Sequence, residues 1–155
     1  MGSAYRFNFF VDDDRKVIII RPIGDMPGSV FVERLFAAYA DVTAPWTYGR
    51  ITDFRRFEGY LDNSDLAEIA RRWVEMTVGV TYHAYVAVVS TDAVDRLRIP
   101  AVSPQFPNET ICLFTDYHEA MGWLMAPDRE AYLDRVRSNP STETHSRGGD
   151  DLRIE

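Results

Sequence analysis

The sequence contains one cysteine and one lysine. Because Cys112 is alone among 155 residues, no disulfide can form within the chain, which fits a reducing compartment. Lys16 is the only lysine among 17 basic residues. A site for an anion must therefore rely on arginine, histidine or backbone N–H groups, and a lysine Schiff-base mechanism would depend on Lys16 alone.

The sequence also lacks an excess of basic charge and any long apolar run. Its formal net charge is -7, which argues against binding to nucleic acid, because such binding rests on basic side chains facing phosphates. The apolar runs fall far short of the roughly 20 residues that cross a bilayer, so we expect no transmembrane segment. The first residues do not form a signal peptide, and we expect a cytoplasmic protein.

What remains is an ordinary globular composition, with 46% hydrophobic and 26% charged residues. A chain of this length is expected to form one domain. From Ser138 onward the sequence is rich in Ser, Thr, Gly and Asp and nearly free of apolar residues. We therefore expect a single domain over residues 1–137 and a flexible polar tail over 138–155.

Hydrophobic periodicity predicts the order β-β-α-β-α-β-α-β-α. Alternating and continuous apolar runs predict strands, and apolar residues three and four apart predict helices. The predicted strands cover residues 5–11, 17–20, 46–53, 82–90 and 110–114. The predicted helices start at Ser29, cover residues 64–77, start at Asp116, and cover 128–136. A short helical turn is expected over 92–97, and three prolines make 99–107 a loop or a broken helix.

This order predicts an α/β fold. The first two strands should form an antiparallel hairpin, whereas strand–helix–strand units imply parallel crossovers. We expect a four-stranded, mostly parallel sheet with an added antiparallel N-terminal edge strand. Helices should cover at least one of its faces.

Three segments in the same order resemble the SpoIIAA-like proteins, relatives of the STAS anti-sigma-factor antagonists. They are Arg50-Ile51-Thr52-Asp53-Phe54 with Phe57-Glu58-Gly59, Tyr85-Val86-Ala87-Val88-Val89-Ser90-Thr91-Asp92, and Leu113-Phe114-Thr115-Asp116 with Glu119-Ala120-Met121-Gly122-Trp123-Leu124. The resemblance spans roughly residues 5–125. It implies a small STAS-like bacterial domain without catalysis that works through its surface, by binding a protein partner or a small apolar or anionic ligand.

The same resemblance raises the question of phosphorylation at Ser64. In STAS antagonists an Asp-Ser-Ser-Gly loop carries the phosphorylated serine, and the matching stretch here is Asp62-Asn63-Ser64-Asp65. Ser64 falls at the phosphorylated place, but Asn63 and Asp65 depart from the motif, and the two aspartates would repel a phosphate. The alternative is that Asp62 or Ser64 simply caps the following helix.

A second candidate site lies after the third strand. Ligands of open α/β sheets collect outside the carboxyl ends of the strands, where Asp53 is followed by Arg55 and Arg56. Two guanidinium groups could hold a carboxylate or a phosphate there, or the loop could support a small enzyme active site. The alternative is a solvated loop in which one arginine pairs with Asp53 or Glu58.

Aromatic residues make up a third candidate site. Phe54, Phe57 and Tyr60 lie in the loop after the third strand, close in sequence to Trp46 and Tyr48. They could line an apolar pocket for a ligand, form the interface of a homodimer, or roof the hydrophobic core.

The sequence carries no motif for metal or nucleotide binding. His83, His118 and His145 lack metal-ligand spacing, and the sequence contains neither glycine-rich nucleotide fingerprints nor a G-x-S-x-G nucleophile elbow. We therefore expect no metal, no cofactor and no catalytic residue.

Overall fold

The computed structural model describes residues 4–138, which form a five-stranded sheet flanked by helices. The strands are β1 (Tyr5–Asp12), β2 (Val17–Gly24), β3 (Gly49–Asp53), β4 (Ala84–Val89) and β5 (Glu109–Phe114). The helices are α1 (Gly28–Ala40), α2 (Asn63–Met76), α3 (Asp95–Val102), α4 (Tyr117–Met125) and α5 (Arg129–Arg137). The expected tail lies outside the described residues apart from Ser138.

The strands lie side by side in sequence order, β1-β2-β3-β4-β5. β1 pairs with β2 in antiparallel orientation, and the other three pairings are parallel. This arrangement confirms the predicted α/β class, the parallel four-stranded sheet and its antiparallel edge strand. The carboxyl ends of β3, β4 and β5 meet at one edge, because Asp53 is paired with Val89 and Val89 with Phe114.

Two hydrophobic clusters lie on opposite faces of the sheet. Ile18 and Ile20 of β2 pack with residues of α1 and α2, including Phe31 and Trp73. On the other face Ile51, Ala87 and Val89 pack with Trp123 and Leu124 of α4. The alternation of side chains along each strand produces this division, and α5 in turn packs on α4.

Some local predictions were wrong. The second strand does not end at Ile20, because β2 continues through Pro22 to Gly24 in pairing with β1. Residues 46 and 47 do not extend β3, because Pro45–Thr47 forms a 3-10 turn that follows Ala44 in the left-handed region.

Of the two alternatives for residues 99–107, the broken helix matches the structure, since α3 runs through Pro100 and the 3-10 turn Ser103–Gln105 follows it. Only eight residues long, α3 carries Pro100 near its end, where one lost backbone hydrogen bond is tolerated.

Gly24 anchors the loop after β3 to the end of β2. Its N–H donates to the Arg56 carbonyl at 2.9 Å, and its carbonyl accepts from the Glu58 N–H at 2.8 Å. Its φ of +87° lies in the left-handed region, and an added Cβ would lie 2.3 Å from the Ala4 carbonyl oxygen. Position 24 therefore requires glycine for two reasons: its backbone conformation, and the lack of space for a Cβ atom.

We expect Gly24→Ala to reduce the free energy of unfolding more than Gly79→Ala. Gly79 has a similar φ of +77° but open space around its Cβ position, so its replacement should cost only the backbone strain of about 1–2 kcal/mol. The clash at Gly24 should add about 1–3 kcal/mol. Urea unfolding of both variants measures the difference, and equal losses would contradict a steric role for Gly24.

Candidate functional site

A buried carboxylate lies where β3 ends. Because Ile20 is paired with Thr52 across β2 and β3, Arg21 comes next to Asp53, and its Nε donates to Asp53 Oδ2 at 3.1 Å. Arg55 wraps back onto the same carboxylate, donating from Nε at 2.9 Å and from Nη2 at 2.8 Å. The Arg55 backbone N–H adds a further hydrogen bond at 3.1 Å.

These bonds hold Asp53 in its ionised form. Burial raises the pKa of the Asp53 carboxyl, but hydrogen bonds from Arg55 and Arg21 outweigh burial, so the pKa lies below its ordinary value. The guanidinium of Arg55 is therefore occupied by Asp53, as the solvated-loop alternative expects. Arg56 does not join this cluster: its side chain is exposed, and its carbonyl holds Gly24.

The aromatic residues of the loop are divided between the core and the surface. Phe54 and Phe57 are half-buried and stack near Phe31 of α1, with ring centroids 5.9 and 6.2 Å from it. Tyr60 is 64% exposed, and the Arg98 guanidinium of α3 lies 4.8 Å from its ring centre. A hydrogen bond from Arg98 to the Leu61 carbonyl joins α3 to this loop.

An outer cavity of about 160 Å³ opens between this loop and the start of α3. Four of the predicted site residues line it, namely Phe54, Arg55, Phe57 and Tyr60. Across the cavity Ser90 Oγ donates to Asp95 Oδ2 at 2.5 Å. Neither Asp53 nor Arg56 lines this cavity.

An inner cavity of about 110 Å³ lies between the sheet and the helices α1, α2 and α3. Its walls are mostly aliphatic and aromatic side chains. Four residues line both cavities and therefore lie at the boundary between them: Phe54, Leu61, Leu66 and Ile99. The charged groups of the inner cavity are Arg50 and Glu109, on the strands that form its floor.

Arg50 and Glu109 form a buried ion pair. The Arg50 Nη2 donates to Glu109 Oε1 at 2.5 Å, and both side chains are at most 5% exposed. The guanidinium carbon lies 4.0 Å from the ring centre of Trp73. Tyr82 donates its hydroxyl hydrogen to Glu109 Oε2 at 3.2 Å and accepts from Trp73 Nε1 at 2.8 Å.

One nitrogen of this arginine is left without a partner. Arg50 Nη1 is buried and has no partner at hydrogen-bond geometry among residues 4–138. The Tyr39 hydroxyl lies beside the guanidinium, and its interaction with Arg50 lowers the pKa of Tyr39 against the larger effect of burial. Burial lowers the pKa of Arg50, but Tyr39 and Glu109 beside it raise it above its ordinary value, so the guanidinium stays charged. Burial raises the pKa of Tyr39 to about 12, which keeps that hydroxyl protonated.

Arg50 and Glu109 were not predicted as site residues from the sequence. Arg50 has the same strand parity as Thr52, so its side chain belongs to the face covered by α1 and α2, where an arginine needs a partner. That alternation was the available signal. Glu109 is 59 residues away, and only the register of the sheet brings the two together.

Ser64 lies in the first turn of α2, where its side chain is exposed. Asp62 is the N-cap and forms a capping box with Asp65, and Ser64 Oγ donates to Asp62 Oδ1 at 2.7 Å. Asp62 therefore caps α2, which is the alternative to phosphorylation at Ser64. A phosphate on Ser64 would lie between two carboxylates.

The described residues offer no cluster of metal ligands. Residues 4–138 contain no group of three or more His, Cys, Asp or Glu side chains placed to hold a metal ion. His83 Nε2 lies 2.8 Å from Thr110 Oγ1, and burial raises the pKa of the Cys112 thiol. His145 lies outside the described residues.

Comparison with known proteins shows the fold. No protein-family model and no curated protein matches the chain. It is similar to the crystal structure of an uncharacterized protein of the DUF3478 family from Shewanella loihica, described as having a SpoIIAA-like fold. The TM-score is 0.52 at 16% identity, and the match covers 80% of this chain and 96% of that chain.

The protein therefore has a SpoIIAA-like fold, as its sequence segments predicted. A likeness at this identity establishes the architecture, and the cavities and charged groups must supply the argument for function. No helix within residues 4–138 is both long and apolar enough to span a membrane.

The pH dependence of stability tests the Asp53 cluster. Since the folded pKa of Asp53 is lowered, its ion pairs stabilise the fold above the unfolded pKa of about 3.9, and this stabilisation is lost as pH falls through the folded pKa. We expect Asp53→Asn to lower the free energy of unfolding by about 1–3 kcal/mol near neutral pH. The gap to the wild type should narrow below about pH 4.

Urea unfolding at several pH values measures this gap. Asp25→Asn is the matched control, because Asp25 is an exposed carboxylate at the same edge of the sheet and should change stability by less than about 0.5 kcal/mol. A gap for Asp53→Asn that stays constant down to acid pH would show that its charge does not stabilise the fold.

Proposed function

We propose that this protein is a non-enzymatic domain that binds a small, largely apolar molecule in the inner cavity. The observation that carries the proposal is Arg50 Nη1, a charged donor that is buried against an apolar cavity without a partner. Buried polar groups in folded proteins are nearly always hydrogen-bonded. A ligand oxygen in the cavity would complete the bonding of this guanidinium.

The charges around Arg50 select the kind of oxygen. Glu109 already neutralises the guanidinium at 2.5 Å, so a ligand carboxylate would place a second negative charge in an apolar environment, which is costly. A neutral acceptor, such as a ketone, ester or amide carbonyl, adds a hydrogen bond without that charge. The ligand is therefore an apolar body with one carbonyl oxygen.

The volume of the inner cavity sets the size of the ligand. A dry apolar cavity of about 150 Å³ in another protein binds benzene, and the inner cavity here measures about 110 Å³. It suits a single ring or a short branched chain. A longer ligand would pass Phe54 and Leu66 into the outer cavity, whose rim is formed by Tyr60 and α3.

The Asp53 cluster supports binding rather than catalysis. Four hydrogen bonds hold the Asp53 carboxylate, and a carboxylate with a lowered pKa is a weak general base. The Arg55 guanidinium is bonded to the same carboxylate. In this proposal the cluster holds the loop that forms the mouth of the cavity.

Binding of benzene, acetophenone and benzoate tests the proposal, because the three share a ring and differ in the oxygen they present. We expect acetophenone to bind more tightly than benzene by about tenfold, the value of one hydrogen bond to a charged donor. Benzoate should bind more weakly than acetophenone. Titration followed by amide chemical shifts in NMR measures all three affinities.

Two variants and a control test whether the ligand binds in the inner cavity beside Arg50. Arg50→Lys keeps a positive charge beside Glu109, but its single nitrogen is held by Glu109 and leaves no donor at the position of Nη1, so acetophenone should bind it no better than benzene. Leu66→Trp fills both cavities and should abolish binding, whereas Val78→Trp, on an exposed residue outside both cavities, should leave binding unchanged. Benzoate binding most tightly, or equal acetophenone affinity in Arg50→Lys and wild type, would contradict the proposal.

A further inference from the structure

The outer edge of β1 is open for pairing. Within residues 4–138, β1 pairs with β2 alone, and it stands at the end of the sheet. All eight of its residues pair with β2 without a bulge, and none of them is proline or lysine. An uninterrupted edge strand of this length presents unpaired backbone N–H and C=O groups that favour pairing with another strand.

The other edge of the sheet is more obstructed. Residues of α3 and α5 stand beside β5, among them Arg96, Pro100, Val136 and Arg137. A strand that approached β5 would meet these helices, whereas β1 is followed by the short turn to β2. The sheet therefore has one edge that is suited to strand addition.

The side chains of β1 are incompletely buried on both faces. One face packs on the α1 side of the sheet but stays half-buried, with Tyr5, Phe7, Phe9 and Val11. The opposite face carries Phe10, which is 60% exposed, together with the exposed Arg6 and Asn8. Pairing at this edge would bury apolar surface on both faces of the sheet.

A second copy of β1 fits this edge in two registers, and one of them also matches charge. In an antiparallel pair the outward backbone groups of both strands face each other only when opposed residue numbers are both odd or both even. Twofold axes at Asn8 and at Phe9 both meet this condition, and each overlaps all but one residue of the strand. Only the axis at Phe9 opposes oppositely charged residues. It places Arg6 opposite Asp12 of the second copy, Phe7 opposite Val11 and Asn8 opposite Phe10.

This register matches charge and apolar character together. Arg6 and Asp12 form an opposite-charge pair twice, once on each side of the twofold axis. Directly opposed pairs of this kind stabilise strand pairing, and like charges destabilise it. The apolar residues of one face meet one another, and no like charges are opposed.

We propose that two copies of this chain associate through antiparallel pairing of their β1 strands, which joins their sheets into one of ten strands. The occupant of the edge is a second copy, because the strand is complementary to itself. This interface is separate from both cavities and from the aromatic loop, so the dimer leaves the mouth of the ligand site accessible.

Charge reversal across the twofold axis tests the interface. Arg6→Glu and Asp12→Arg each place like charges opposite one another, and we expect each to weaken the dimer about tenfold or more. The double variant Arg6→Glu/Asp12→Arg restores opposite charges in reversed order, so it should dimerise more tightly than either single variant. Sedimentation equilibrium measures the dissociation constants.

Two controls keep the result interpretable. Asp12 also accepts a hydrogen bond from the Arg15 N–H in the turn and lies 3.6 Å from the Arg15 Nε. Thermal melting must therefore show that each variant is folded at the temperature of the measurement. Arg96→Glu reverses an exposed charge beside β5 and should leave the dimer unchanged. A monomeric wild type at millimolar concentration, dissociation by Arg96→Glu, or a double variant no tighter than the single ones would overturn the proposal.

Discussion

The buried ion pair between Arg50 and Glu109 lies at the centre of the packing between the sheet and the helices α1, α2 and α3. The pair spans β4, since Arg50 lies on β3 and Glu109 on β5. A charge at 4% exposure requires both a counter-charge and further hydrogen bonds. Glu109, Tyr82 and the ring of Trp73 satisfy most of that requirement.

This pair makes an otherwise apolar cavity polar at one point. The desolvation of an unpaired buried donor costs about 1–3 kcal/mol, and more when the group is charged. The fold carries this cost at Arg50 Nη1, whereas Nη2 is bonded to Glu109. Outside this cavity, at the end of β3, Asp53 and Arg55 are bonded to each other. Both oxygens of Asp53 are thus bonded, whereas Arg50 Nη1 has no partner at hydrogen-bond geometry among residues 4–138.

The sequence predicts the architecture well because its elements are encoded locally. The β-branched run of β2 and the helical spacing of α2 follow from side-chain periodicity alone. Two residues depart from what the local pattern predicts. Trp46 lies in a 3-10 turn and not in a strand, and Pro100 lies inside the helix α3. The aromatic loop was located correctly, since Phe54 follows a strand end. The contact between Arg50 and Glu109 depends on sheet register, which one strand's pattern does not specify.

The central claim is that a ligand carbonyl accepts a hydrogen bond from Arg50, and the carbonyl stretching frequency of bound, carbon-13-labelled acetophenone tests it most directly. A hydrogen bond to a buried guanidinium weakens the C=O bond. The account predicts a lower frequency in the wild type than in Arg50→Lys, where the ring can still occupy the cavity. The same frequency in both proteins would contradict it.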